Sequence, residues 1–365
     1  MRCSYCCVGD KTEFSIITKE QLYRNFLFLA RNTESLKEQN VDVILHGGEA
    51  TMFAPSDCSF AIEKIISEFP LINFHWKIQT NGYHISDAWL NLLKKYHFSV
   101  GVSLDGYEKH HNSVRKDCIG NSTFYKIKSN ILKLKQNDIS VSTLMVVTKR
   151  ALQNGYGFLD WYTENKIPIK INPLLQCGEA INKNDLFLKS GDYADYIIGA
   201  FEYLIQHDAN TPLNPIDNMF ERIVNQQNHG ECIFSEDCTR NFMAIDYDGN
   251  LYPCGRFCDE SQNYMGNVNE VVQFPFQKPA SVIEKVQSYR NYSKCKMCKF
   301  YDFCHGGCPF VNQLESRGDS FINPLCEDYR KIYTYIVTHG IDLLCKKLDE
   351  RVKVMQDEQQ NRALL

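Results

Sequence analysis

Apolar positions in the first half of the chain follow two periods in alternation. Residues 41–45, 74–80, 98–104, 141–148 and 168–173 are short runs that alternate apolar with polar or stay apolar throughout, and they predict strands. Between them apolar residues recur every three or four positions, the period of helices with one buried face. One such helix should begin after Thr18, which forms a capping box with Gln21 ahead of Leu22, Phe26 and Leu29. Another carries Phe124, Ile127, Ile131 and Leu134 on one face. Strands and helices in this alternation predict an α/β fold with a parallel sheet covered by helices. Further on, residues 181–231 read as mainly helical, with 193–205 apolar on one side, and 328–356 as a closing helix. The absence of a repeat, a low-complexity tract or a Pro/Gly linker predicts that the two parts pack directly on each other.

At 365 residues the chain can build one large domain or two ordinary ones. Forty basic residues against 44 acidic ones give a net charge of -4, which lacks the footprint of a nucleic-acid or acidic-membrane binder, so neither is expected as a partner. No stretch reads as a signal peptide, and none approaches the roughly 20 apolar residues of a membrane span. A cytoplasmic protein is expected, and in a reducing compartment clustered cysteines hold metal or do redox chemistry sooner than they form disulfides.

The cysteines therefore carry the chemistry. Eight of the 16 lie in the pattern Cys232-x5-Cys238-x10-Gly249-x4-Cys254 and Cys295-x2-Cys298-x5-Cys304-x3-Cys308-x17-Cys326. Eight thiolates fill two four-sulfur sites, and four thiolates suit zinc as well as iron-sulfur. Ahead of them, Cys3-x2-Cys6 opens the chain, His46-Gly47-Gly48-Glu49 follows the first strand run and Ser103-Leu104-Asp105-Gly106 the third. These are ends of strands, where open α/β sheets and β/α barrels both place their sites. Glycines there permit close backbone approach to a ligand.

Cys3, Tyr5 and Cys6 resemble the second half of the radical SAM signature, Cys-x3-Cys-x2-Cys, with an aromatic residue ahead of the last cysteine. In that family three thiolates hold a 4Fe-4S cluster, and S-adenosylmethionine (SAM) fills the open iron position through its amino and carboxylate groups. The first cysteine of the signature would fall before Met1, so the resemblance implies an N-terminally truncated chain whose first barrel strand is missing. The run 46–49 is similar to the family's Gly-Gly-Glu element, which implies SAM contacts from Gly47, Gly48 and Glu49; the family continues with proline where this chain has Ala50. Ser103 and Asp105 fall where family side chains bond the ribose hydroxyls, although either could cap the next element. Arg115 resembles a family arginine near the SAM pocket, and Asn81, in Gln79-Thr80-Asn81-Gly82, belongs to a loop that resembles the family's but is also a common turn.

Seven of the eight clustered cysteines, with Gly249, reproduce the pattern of the SPASM domain, and Cys232 supplies the eighth ligand. That resemblance assigns Cys232, Cys238, Cys254 and Cys308 to a first auxiliary 4Fe-4S cluster and Cys295, Cys298, Cys304 and Cys326 to a second. Cys7 is expected as a small loop residue, and Cys58, Cys118, Cys177, Cys258 and Cys345 as buried small hydrophobes. Cys177, which follows the last strand run, should stand at the mouth of the site.

From Cys3 to Cys326 the chain is similar to SPASM-type radical SAM proteins. The resemblance implies a partial β/α barrel over residues 1–180, a helical bridge over 181–231, a two-cluster domain over 232–326 and a C-terminal helix over 327–365. In the family the reduced cluster passes one electron to the SAM sulfonium, which yields methionine and a 5'-deoxyadenosyl radical that abstracts hydrogen from the substrate. The implied substrate is a peptide or protein, first of all a ribosomally made precursor peptide, and the implied electron donor a flavodoxin or ferredoxin. Anaerobic sulfatase maturases share the architecture, but resemble one another in an aspartate directly after the second cysteine of the pattern; here that residue is Gly255, which argues against formylglycine formation. The remaining alternative is a non-catalytic iron-sulfur scaffold that has lost SAM cleavage with its first cysteine.

Overall fold

The computed structural model describes residues 1–7, 15–225, 232–258, 260–290, 293–314 and 323–346. Its first half contains β1 (Arg2–Cys3), β2 (Asn40–Leu45), β3 (Asn73–Thr80), β4 (Ser99–Ser103), β5 (Arg115–Lys116), β6 (Ser140–Val147), β7 (Ile169–Pro173) and β8 (Leu213–Asn214). The helices are α1 (Lys19–Ser35), α2 (Pro55–Glu68), α3 (Asp87–Lys95), α4 (Glu108–Val114), α5 (Phe124–Gln136), α6 (Leu159–Glu164), α7 (Asp192–Gln206) and α8 (Ile216–Asn225). Six strands form one parallel sheet in the order β2-β3-β4-β6-β7-β8, each joined to the next by helices.

Parallel strands buried on both faces read as continuous apolar runs. These alternate instead. Phe74, Trp76 and Ile78 of β3, Val100 and Val102 of β4 and Val141, Met145 and Val147 of β6 share one core with Ile62 and Ile65 of α2 and Ile127 and Ile131 of α5. The opposite face is polar and open: Asp42, His75, Ser99 and Ser142 are exposed there, and Lys77 Nζ meets Asp42 Oδ2 at 2.8 Å. The sheet thus curves around a polar lumen, as a partial barrel does. Beyond the barrel, β9 (Ala244–Ile245), β10 (Asn250–Tyr252) and β11 (Gly266–Asn267) make an antiparallel sheet in the order β11-β10-β9.

The two parts pack directly, as expected. Leu22, Phe26 and Ala30 of α1 lie in the barrel core, while Phe28 lies in a second cluster with Leu251, Met265, Val268 and Val282. Polar contacts register the same join: Asn25 Nδ2 donates to the Asp246 carbonyl at 3.2 Å, and the Phe276 N–H to Asn32 Oδ1 at 2.7 Å. On the far side the Ala194 N–H of α7 donates to Asp328 Oδ1 at 2.9 Å, within the helix Cys326–Tyr335.

Three expectations need adjustment. The sheet continues past residue 180, because β8 lies within the stretch read as a helical bridge; two residues are too few to show a period. The capping box is half made: Thr18 Oγ1 accepts from the Gln21 N–H at 3.1 Å, but the Gln21 amide turns to Asn25 Oδ1 at 2.8 Å instead of returning to the cap. Of the cysteines expected as buried small hydrophobes, Cys58 and Cys177 are buried, Cys258 is half-buried, and Cys118 and Cys345 are exposed. The part of the expected closing helix beyond residue 346 lies outside the described residues.

Gly249 shows why the cysteine pattern contains a glycine. It sits at φ +86° in the β9–β10 turn, where a Cβ would stand 2.5 Å from Gln21 Nε2 and 2.8 Å from Val268 Cγ2. Left-handed backbone is costly for any other residue, and no room exists for a side chain. Gly249→Ala is expected to destabilise the protein by about 1–3 kcal/mol, measured as a lower urea midpoint for the loss of β9–β11 and α1.

Candidate cluster and cofactor sites

The Cys3–Cys6 loop is held from two sides. β1 pairs antiparallel with β5, Cys3 opposite Arg115, and the Ser4 N–H donates to the Val114 carbonyl at 2.8 Å. From the other side the loop after β7 closes on it: the Glu179 N–H donates to the Cys6 carbonyl at 2.9 Å, and a Cβ on Gly178 (φ +54°) would fall 2.2 Å from that same oxygen. Cys177, at the start of this loop, lies within electrostatic reach of Cys6 and Cys7. Its expected place at the barrel mouth therefore agrees with the fold. Burial pushes its thiol up to about 11, with Cys7 adding to the rise.

Beneath the loop lies a buried ionic node. Asp105 is fully buried, Arg115 nearly so, and Arg115 Nε donates to Asp105 Oδ2 at 2.8 Å. The Tyr5 hydroxyl donates to the same oxygen, and the Val146 N–H to Oδ1 at 2.9 Å. Arg115 also lies over the Tyr5 ring, 5.1 Å from its centre, and points Nη1 at Cys3 Sγ, 3.8 Å away. Burial, the largest single influence, raises the Asp105 carboxyl, but the Arg115 guanidinium together with His111, His110 and the Tyr5 hydroxyl holds it below the usual carboxylate range. His111 completes the node. Its Nδ1 accepts from the Asp105 N–H at 3.1 Å, and its Nε2 lies 3.0 Å from Thr123 Oγ1, which itself donates to the Arg115 carbonyl. The ring must carry its proton on Nε2, and burial holds it neutral, pushed down to about 4.

This geometry reassigns Asp105. Sequence reasoning set it against a ribose; the structure commits both of its oxygens to protein donors, so Asp105 positions Tyr5, Arg115 and, through Arg115, Cys3. Ser103, half-buried on β4, accepts from Gln79 Nε2 at 3.3 Å.

Glu49 is also drawn into the fold. Its Oε1 accepts from the Thr51 N–H (3.1 Å), Thr51 Oγ1 (2.6 Å) and Thr80 Oγ1 (2.6 Å), and its Oε2 from the Asn81 N–H (2.8 Å). The carboxylate ties the ends of β2 and β3 together and leaves acceptor capacity only on Oε2. Asn81 likewise spends Oδ1 on the Tyr83 N–H at 2.8 Å, which makes its loop the turn that Asn-Gly suggested. Gly47 and Gly48 differ: a Cβ on either would meet nothing within 4 Å, so bare backbone faces open space at the end of β2. That is the room a cofactor's polar end needs.

In the second half all eight clustered cysteines are free thiols, and charge contacts sort them into two groups. Burial pushes up the Cys238 thiol, Arg290 draws it back, and Cys308 and Cys232 push it up again. Cys254, pushed up by burial to about 11, feels Cys308 and Cys238. Cys304, pushed up by burial to about 12, feels Cys326, Cys295 and Cys298. Cys326 in turn feels Cys298, and Cys295 feels both. The groups are the two quartets that the pattern implies. Among the described residues no three or more His, Cys, Asp or Glu side chains close on one point as they would on a single ion.

Two arginines, Arg290 and Arg256, face these thiols, and a third, Arg222, is held by backbone carbonyls of the same part. Arg222 is fully buried, gives Nε to the Phe303 carbonyl (3.1 Å) and Nη2 to the Phe234 carbonyl (2.6 Å), and leaves Nη1 without a partner. Arg290, which faces Cys238, gives Nε to the Gly307 carbonyl at 2.8 Å and Nη1 to two further carbonyls, with Nη2 unmatched. Arg256 directs Nη1 at Cys308 Sγ, 3.5 Å away. Of these three only Arg222 is buried, Arg290 is half-buried and Arg256 exposed, and among the described residues no carboxylate pairs with any of them. Four thiolates around iron carry net negative charge, so the donor set fits iron-sulfur clusters. The sequence reading missed all three arginines; the signal for Arg256 was a cation two residues after Cys254.

The described residues thus combine a parallel partial barrel, a cysteine loop at its end and two groups of four thiols. Residues 1–150 match the family model described as the radical SAM superfamily. Its relatives include the cysteine-type anaerobic sulfatase-maturating enzyme of Clostridium perfringens, 24% identical over 350 residues that cover 92% of each chain. The serine-type enzyme of Bacteroides thetaiotaomicron is 21% identical, covering 95% of this chain and 89% of its own. Among solved structures, anSMEcpe with bound AdoMet and Kp18Cys peptide superposes with a TM-score of 0.80 at 21% identity, covering 96% of both chains. SuiB of Streptococcus suis bound to S-adenosylmethionine superposes at 0.64 and 18% identity, covering 89% of this chain and 74% of that one. These likenesses establish the fold. No helix among the described residues is long and apolar enough to cross a membrane.

Proposed function

We propose that this protein is a SPASM-type maturase that uses SAM to modify a peptide or protein, a ribosomally made precursor peptide being the first choice. The observation that carries the proposal is the division of eight cysteines into two quartets in a chain whose partial barrel also bears the Cys3–Cys6 loop and, at the end of β2, the bare backbone of Gly47 and Gly48. Cys3 and Cys6 would serve the SAM cluster, and the two quartets the auxiliary clusters. SAM held at an open cluster iron supplies a 5'-deoxyadenosyl radical that takes hydrogen from the substrate. The protein's own part is to hold that site. The Asp105 node fixes Tyr5, Arg115 and Cys3, Glu49 fixes the ends of β2 and β3, and the polar lumen with Ser103 receives the nucleoside and the chain to be modified. A flavodoxin or ferredoxin would deliver the electron.

Sulfatase maturation is the second reading, favoured by the names of the relatives. Gly255 speaks against it, because the residue directly after Cys254 has no side chain where the resemblance implies an aspartate for sulfatase maturases. One assay separates the readings. A chain that carries a third cysteine four residues ahead of Cys3, the spacing of the signature, is expected to release 5'-deoxyadenosine from SAM under dithionite, and Cys6→Ala to reduce release at least about a hundredfold. Faster release with a precursor peptide than with a sulfatase-derived cysteine peptide supports the first reading; formylglycine in the cysteine peptide supports the second. No nucleoside release with all clusters loaded would leave a scaffold.

A further inference from the structure

We infer that Arg256 sets the reduction potential of the auxiliary cluster assigned to Cys232, Cys238, Cys254 and Cys308. The inference rests on the cluster reading above and goes beyond it in giving one residue control over one of two otherwise similar centres. Arg256 lies in the short turn Gly255–Phe257 that directly follows Cys254. Its Nη1 points at Cys308 Sγ at 3.5 Å, and its charge also reaches Cys232 and Cys254, three thiols of a single quartet. No carboxylate among the described residues pairs with it.

The other arginines differ. Arg222 and Arg290 are tied to backbone carbonyls, and Arg330, the cation that faces Cys326 of the second quartet, is exposed like Arg256 but paired with Glu327 Oε2 at 3.8 Å. Among the described residues, Arg256 is thus the cation that donates to a sulfur of these quartets and has no carboxylate partner. It stands on the barrel side of its quartet, where its charge also reaches Cys7, His46 and Cys177.

The physical consequence has one sign. One-electron reduction adds a negative charge to a thiolate-ligated cubane, and a fixed cation with an N–H on a ligand sulfur stabilises the more negative form. Arginine stays charged at every working pH, so the effect does not titrate away. Arg256 raises the potential of the first centre and makes it the easier one to reduce.

The test is a mediator-controlled redox titration of the anaerobically reconstituted protein, followed by electron paramagnetic resonance, with dithionite as reductant. Arg256→Gln is expected to lower the reduced-to-oxidised ratio of the first centre about tenfold at a fixed potential, a shift of about 59 mV for one electron, and to leave the second centre unmoved. Arg256→Lys, which keeps the charge and loses the fork, should shift it by less than half as much. The Cys304 and Cys308 variants described below identify which signal belongs to which quartet. Unchanged potentials in Arg256→Gln at full iron content would overturn the inference, as would equal shifts of both signals. Iron and zinc assays of the unmutated protein separate this failure from that of the cluster reading: stoichiometric zinc without iron-dependent absorbance would remove the centre itself.

Discussion

Asp105→Ala is expected to cost about 3–5 kcal/mol of stability, because it strips a buried guanidinium of the carboxylate it pairs with among the described residues. The same change orphans the Tyr5 hydroxyl and the Val146 N–H, each within a fully formed core. Urea unfolding should show the loss as a lower midpoint. The double variant Asp105→Ala, Arg115→Met should recover part of it, since the uncompensated charge goes with its partner. If the double variant is as unstable as the two single changes added together, the pair is not coupled. The sign with pH follows from the depressed Asp105 carboxyl. Its contribution is fully present above the ordinary carboxylate value of about 4 and disappears as pH falls through the lower folded value, so acid should close the gap between wild type and Asp105→Asn.

Cys304→Ala and Cys308→Ala are expected to remove different clusters, although only three residues separate them. Each should lose about four iron per chain and one of two spectroscopic signals, and the signals should differ. Loss of the same signal in both variants would sink the division into quartets. Cluster loading should also weaken as pH falls, because thiols such as Cys254 and Cys304, pushed up to about 11 and about 12 by burial, must surrender protons to bind iron. Each variant should become less stable as well as less coloured.

What could be read in advance follows from the length over which a physical pattern repeats. The five longer strands appeared within one residue of their observed limits, because eight residues such as those of β3 alternate long enough to show a period. The buried face of α5, with Phe124, Ile127, Ile131 and Leu134, was equally legible. The pairs β1–β5 and β8 were not, since two residues carry no period and their pairing depends on distant partners. The same limit governs the site. The cysteine pattern showed eight clustered thiols, but their division into quartets came from the resemblance to the SPASM pattern, because Cys308 of the first set lies inside the run of the second. It did not reveal that Asp105 and Glu49 spend their carboxylates inside the fold. Nor did it show that His111, six residues beyond Asp105, holds that residue's backbone, since such bonds depend on how loops close in three dimensions.

Helix α1 has a consequence for how this chain could be taken apart or recombined. Its polar contacts to the cysteine-rich part, from Gln21, Asn25 and Asn32, bridge 221 to 248 positions of sequence, and Phe28 supplies the apolar centre of that join. A cut between the barrel and the quartets would therefore leave a bare stripe on each fragment. Swapping the last third for that of a relative would demand a matching change on one side of a helix near the start. The unit of exchange is that third together with half the surface of α1, a module that no contiguous piece of the gene encodes.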